Sequence, residues 1–105
     1  MRRGEIWRAQ LTGPASRRPV LLLTRNAAYA VRTSVTVAPL TTTIRDIPVE
    51  VRLGPLQGVP RDCVVNLDEV QTIRKDRLIR VLTTLSPELV AQVDQALKFA
   101  LGLKF

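Results

Sequence analysis

The chain contains no histidine and only one cysteine, Cys63. The first absence removes an imidazole general base and any nucleophilic triad built on histidine. One cysteine without histidine cannot assemble a tetrahedral zinc site. It also forbids an internal disulfide and fits a reducing compartment. Carboxylates are few and scattered, and only Asp68 and Glu69 are adjacent. Neighbours on a strand face opposite sides, so no carboxylate cluster for two-metal phosphoryl chemistry presents itself. Glycine is sparse. Gly13-Pro14 and Gly54-Pro55 are too lean to cradle a phosphate, which argues against a nucleotide cofactor. Neither a metal nor a cofactor is expected. Long apolar runs are missing as well. The longest, Pro19 to Leu23, is about five residues, against the ~20 needed to span a bilayer. Arg2 and Arg3 open the chain, but Glu5 and Arg8 interrupt any secretory leader. A cytoplasmic protein with no membrane partner is the expectation.

What the chain does have is positive charge. Of its 16 basic residues 13 are arginine, and the net charge is +7. Such an excess favours polyanions, nucleic acid above all, although a GC-rich genome also enriches arginine without functional demand. With 105 residues, 46% of them hydrophobic, the chain is expected to form one globular domain over residues 1–105. A domain of this size buries roughly two-thirds of its unfolded surface.

Short apolar segments alternate with turn residues, and no repeat or linker interrupts them. Glu5 to Leu11 reads as a strand. Thr12 to Ser16 is a loop by composition. Arg18 to Arg25 is apolar on both faces, as in a central strand. Asn26 to Thr33 is a loop or short helical turn, and Ser34 to Leu40 a third strand. Ile47 to Leu53 alternates, with Ile47, Val49, Val51 and Leu53 on one face. Gly54 to Pro60, with two glycines and two prolines, is expected to hold no regular structure. Cys63 to Asn66, Val70 to Ile73 and Leu78 to Leu85 complete the strands. Ser86 is a good N-cap and Pro87 a good first helical residue. Leu89, Val93, Ala96, Leu97 and Ala100 then recur at helical spacing until Gly102. The expected fold class is mainly β with α, a small, strongly curved β-barrel with a C-terminal α-helix. Such a barrel cannot cover its own flanks, so a homodimer is expected.

One reaction asks little of so spare a set of side chains. RNA carries its own nucleophile, the 2′-hydroxyl beside each phosphate. A protein that orients this hydroxyl and stabilises negative charge on the phosphate can be effective. The planar fork of arginine holds two phosphate oxygens and stays charged, and a threonine hydroxyl donates without adding charge. Arg18 leads the apolar run Pro19-Val20-Leu21-Leu22-Leu23, and Thr41-Thr42-Thr43 follows Pro39-Leu40.

The segments Arg3-Gly4-Glu5-Ile6-Trp7, Arg18-Pro19-Val20-Leu21-Leu22-Leu23, Pro39-Leu40-Thr41-Thr42 and Val64-Val65-Asn66-Leu67-Asp68-Glu69-Val70-Gln71-Thr72-Ile73 occur in this order. In order and spacing they resemble the MazF/PemK family of bacterial toxins, along nearly the whole chain. The resemblance implies an SH3-like barrel of the CcdB/MazF type, a homodimer, and sequence-specific, metal-independent cleavage of single-stranded RNA. The substrates it implies are messenger RNA and also ribosomal or transfer RNA. The products would be a 2′,3′-cyclic phosphate and a free 5′-hydroxyl, and the outcome growth arrest. It also implies a cognate MazE-like antitoxin whose acidic, disordered tail lies along the RNA groove.

Carried over by position, Arg18 and Thr41 match the family's catalytic arginine and threonine. The resemblance implies that the arginine meets the scissile phosphate and takes part in proton transfer while the threonine holds the phosphate. Because an ordinary arginine has a pKa above ~12, its electrostatic role is the better founded. Asp68 and Glu69 match positions that meet bases, where a carboxylate accepts from exocyclic amines. Arg17, Arg25, Asn26, Thr42, Thr43 and Arg45 are further candidate RNA contacts. The simplest reading of Arg25, Asn26, Arg45 and Arg61 is a solvated surface. Trp7 reads as core, and Tyr29 stays open between core and base stacking. Cys63 stands where the family has serine or glycine. In the family the Thr12-to-Arg17 loop reads RNA, and here it is short. The alternative is a non-catalytic, CcdB-like toxin that acts on DNA gyrase through protein contact. Such toxins use a tryptophan near the chain end, and this chain has none after Trp7.

Overall fold

The structure, a computed structural model, describes residues 1–11 and 16–104. The strands are β1 (Glu5–Gln10), β2 (Arg17–Leu22), β3 (Ser34–Thr41), β4 (Glu50–Leu53), β5 (Cys63–Asn66), β6 (Gln71–Arg74) and β7 (Leu78–Thr84), and a single helix, α1 (Pro87–Leu101), follows them. All pairings are antiparallel, in the order β4-β5-β3-β2-β1-β7 with β6 on β3. Among the described residues no ladder joins β4 to β7, so the expected barrel is a sheet without hydrogen-bonded closure.

The double-faced apolar pattern of β2 has a direct structural cause. Leu21 and Leu23 join one core with Ile6, Ala38, Leu40, Val51 and Val65, while Val20 and Leu22 join a second with Ala9, Tyr29, Val35 and Val37. Each fully buried side chain of this size contributes about 1.5–3 kcal/mol. The first core is covered by α1 through Val93 and Ala96, with Leu89, Leu97 and Ala100 packed against it. Trp7 flanks the second core, and its Nε1 donates to Glu5 Oε1 at 2.9 Å. Tyr29 is buried in that core. Burial pushes its hydroxyl pKa up.

The helix begins and ends where its sequence dictates. Ser86 Oγ accepts from the Leu89 N–H at 3.3 Å, and Pro87 opens the first turn. Gly102 closes the helix at φ 70°, a left-handed conformation that glycine adopts freely.

β2 ends at Leu22, three residues short of the expected Arg25, and two further segments differ from expectation. The strand expected over Ile47–Leu53 begins only at Glu50. Ile47 is exposed, Pro48 has no N–H for a ladder, and Asp46 takes a left-handed φ of 55°. The carboxylate of Glu50 holds this loop, because its Oε1 accepts from the N–H groups of Arg45 at 2.9 Å and Asp46 at 3.0 Å. The stretch Gly54 to Pro60, expected to be irregular, contains a 3₁₀ turn over Pro55–Gln57. Gly58 ends that turn at φ 90°, where a Cβ would run into Thr83.

Candidate active site

β2 and β3 are paired from Val20 with Pro39 to Leu22 with Val37, and the Leu23 N–H continues the ladder to the Thr36 carbonyl at 2.9 Å. Toward the other end the ladder stops. On their outer sides Leu40 and Thr41 still pair with Val65 and Val64 of β5, and Arg18 with Ala9 of β1. Pro19 supplies a physical reason: Leu23, Leu21 and residue 19 are the β2 positions that turn toward β3, and proline at 19 has no N–H to donate across to Leu40. Extending the β2–β3 register by two residues sets Arg18 opposite Thr41. Opposed residues share a face of the sheet, so the strands part where these two side chains stand.

The gap is the floor of a cleft of about 400 Å³ lined by Arg8, Arg17, Arg18, Pro19, Leu40, Thr41, Thr42, Val59, Pro60, Arg61 and Cys63. Four of these residues are arginines and none is a carboxylate. Among the described residues none of the four forms an ion pair. Arg17 Nε donates to Gln10 Oε1, its partner across the ladder, at 3.0 Å. Arg18 is exposed and Thr41 half-buried. Thr41 Oγ1 accepts from the Thr43 N–H at 3.2 Å. That bond occupies a lone pair and leaves the hydroxyl hydrogen to donate into the cleft. Burial pushes the Cys63 thiol pKa up, and Asp62 beside it adds to the effect. A thiol held protonated is a poor nucleophile.

The cleft therefore gathers Arg17, Arg18, Thr41 and Thr42 among the residues singled out from sequence. Thr43 lies just outside, tied to Thr41. Arg45 belongs to the loop braced by Glu50. Arg25 precedes a 3₁₀ turn over Asn26–Ala28, and Asn26 Oδ1 accepts the Arg3 N–H at 2.6 Å; neither lines the cleft. Asp68 and Glu69 are exposed on a 3₁₀ turn at the end of β5 opposite Cys63, with the Asp68 N–H donating to Asn66 Oδ1 at 2.9 Å. The RNA-reading loop expected over Thr12 to Arg17 falls largely on residues 12–15, outside the described residues. Arg8 emerges as a cleft residue that sequence reasoning passed over, and Arg61, read from the sequence as solvated surface, also lines the cleft. Alternation along β1 gives Arg8 the same face as buried Ile6 and so hides it, whereas Arg61 sits in irregular chain with no periodicity to place it. Groups of three or more acidic, cysteine or histidine residues able to hold a metal ion are absent among the described residues.

A mainly antiparallel sheet with one terminal helix and an arginine-lined cleft at a strand fork defines a class that comparison identifies. The family described as PemK-like, MazF-like toxin of type II toxin-antitoxin system matches residues 2–101, and the chain belongs to it. It is 39% identical over 103 residues to the probable endoribonuclease MazF2 of Mycobacterium tuberculosis, covering 97% of this chain and 99% of that protein. The fold is similar to the Mycobacterium tuberculosis toxin MazF-mt6, with a TM-score of 0.89 at 36% identity, covering 96% of this chain and 99% of the other. A mycobacterial endoribonuclease solved in complex with its cognate antitoxin matches with a TM-score of 0.89 at 32% identity, over 100% of this chain and 98% of that one. Among the described residues no helix is long and apolar enough to cross a membrane.

Proposed function

We propose that this chain is the toxin of a toxin–antitoxin pair, a sequence-specific endoribonuclease that cuts single-stranded RNA without a metal. The observation that carries the reading is the shared cleft of Arg18 and Thr41, rich in arginine and free of carboxylates in its lining. A phosphate seated there meets the Arg18 fork and the Thr41 hydroxyl. Both interactions strengthen as charge accumulates on the phosphate oxygens during attack. The O2′–P bond forms and the P–O5′ bond breaks. The proton of the 2′-hydroxyl passes to solvent, and the departing 5′-oxygen takes one from water. A 2′,3′-cyclic phosphate and a 5′-hydroxyl result. Arg18 acts by its charge, since a guanidinium with a pKa above ~12 exchanges protons poorly near neutrality.

The remaining parts of the proposal follow from the family and from charge. Messenger RNA is the principal substrate, with ribosomal or transfer RNA as others, and growth arrest is the outcome. One domain spans residues 1–105, works as a homodimer in the cytoplasm, and is silenced by a MazE-like antitoxin. An acidic, disordered antitoxin tail suits a cleft whose four arginines lack carboxylate partners among the described residues. Arg17 and Thr42 flank the phosphate, and Arg25, Asn26, Thr43, Arg45, Asp68 and Glu69 contact RNA further along.

The test is incubation of the purified protein with a long defined RNA in EDTA, followed by mapping of the new 5′ ends. Cleavage is expected to persist in chelator, to recur at one short sequence and to leave 5′-hydroxyl ends. Loss of cleavage in EDTA, restored by added divalent cation, would overturn the metal-independent mechanism. An intact RNA under all conditions would overturn the enzyme itself.

A further inference from the structure

The strand ladder contains a pairing that stability alone does not explain. Arg8 of β1 stands directly opposite Arg80 of β7, next to the pair Trp7–Val81 and between two register shifts, one at Ile6/Trp7 and one at Arg8/Ala9. Directly opposed residues of an antiparallel pair share one face with Cβ atoms about 4.5–5.5 Å apart, and like charges there repel. Among the described residues neither guanidinium has an ion pair or a side-chain hydrogen bond, and β7 contains no carboxylate. The other side of Arg8 faces Pro19, and Arg8 itself lines the cleft with Arg18. Arg80 is exposed on β7, which ends the sheet order, so the positive surface continues from the cleft across β1 to the sheet edge.

We propose that Arg8 and Arg80 form a second phosphate-binding site, which holds the RNA backbone on the β7 side of the scissile bond. The inference rests on the ribonuclease reading of the cleft. Two unpaired forks on one face match the several oxygens of a backbone phosphate. Single-stranded RNA supplies such a phosphate at every nucleotide, continuous with the one at Arg18. The phosphate neutralises a repulsion that the empty protein sustains.

The experiment uses the full chain and a 2′-O-methylated RNA spanning the mapped cleavage sequence, which binds but cannot be cut. Affinity is measured from low to moderate salt for the native protein, Arg80→Ala and the control Arg74→Ala, whose guanidinium is already paired with Asp76 at 2.8 Å. For single strands each phosphate contact contributes about 0.7 to the salt slope. Arg80→Ala is expected to lower the slope by about 0.7 and weaken binding several-fold, while its melting temperature holds or rises as the repulsion is relieved. An unchanged slope overturns the site. So does an equal loss in Arg74→Ala, which would mark a general effect of net charge. Unchanged RNA binding with weakened binding of a poly-glutamate peptide also overturns it, in favour of a protein partner. A native protein that neither cuts nor binds RNA refutes the ribonuclease reading, whereas native cleavage with an unchanged Arg80→Ala slope refutes this site alone.

Discussion

Arg18→Ala is expected to lower kcat/KM on a defined RNA by about 10²–10³-fold, the loss typical of one group aimed at transition-state charge. The fold should survive, because Arg18 is exposed and belongs to neither core. Arg18→Lys keeps the charge but not the fork, so it should recover only part of the rate. The measurement is initial-rate kinetics beside circular dichroism and thermal melting. Near-native turnover by a correctly folded Arg18→Ala protein would remove the guanidinium from the mechanism.

Thr41→Val is expected to slow cleavage by about 10²-fold, since it keeps the branched shape of the residue and removes its donor. The Thr43 N–H also loses its acceptor, but Thr43 is exposed and water can take that place. Thr41→Ser, which retains the hydroxyl, is expected to recover most of the rate. The ratio of the Ser and Val variants in single-turnover kinetics separates the hydroxyl from the packing of its methyl group. Equal rates for the two would show that the oxygen contributes nothing.

How much of this was legible in the chain depends on whether the signal was local. The helix was, because Ser86, Pro87 and Gly102 act within a turn of themselves. So was β5, whose ends match the expected Cys63 to Asn66, and so was the central place of β2, from its two apolar faces. Ile47 misled because alternation was unbroken in sequence, yet the left-handed turn at Asp46 and the carboxylate of Glu50 hold that stretch out of the sheet. Glu50 looked like an ordinary outward residue, and its grip on two backbone N–H groups is visible only once the loop is folded. Arg18 and Thr41 are distant in sequence, and register is what brings them to one cleft. Family resemblance pointed to both; periodicity could not. Arg8 escaped notice because the face it presents depends on β-bulges between β1 and β7.

The parting of β2 from β3 carries a mechanical consequence. A seam left unzipped between two halves of a sheet is where heat should open the molecule first. An oxyanion that touches Arg18 on one lip and Thr41 on the other sutures that seam. A non-cleavable RNA at about 100 times its dissociation constant should add about 2.7 kcal/mol of stability. Slowed amide exchange should concentrate along the two lips, so that substrate completes the wall that Pro19 left ajar.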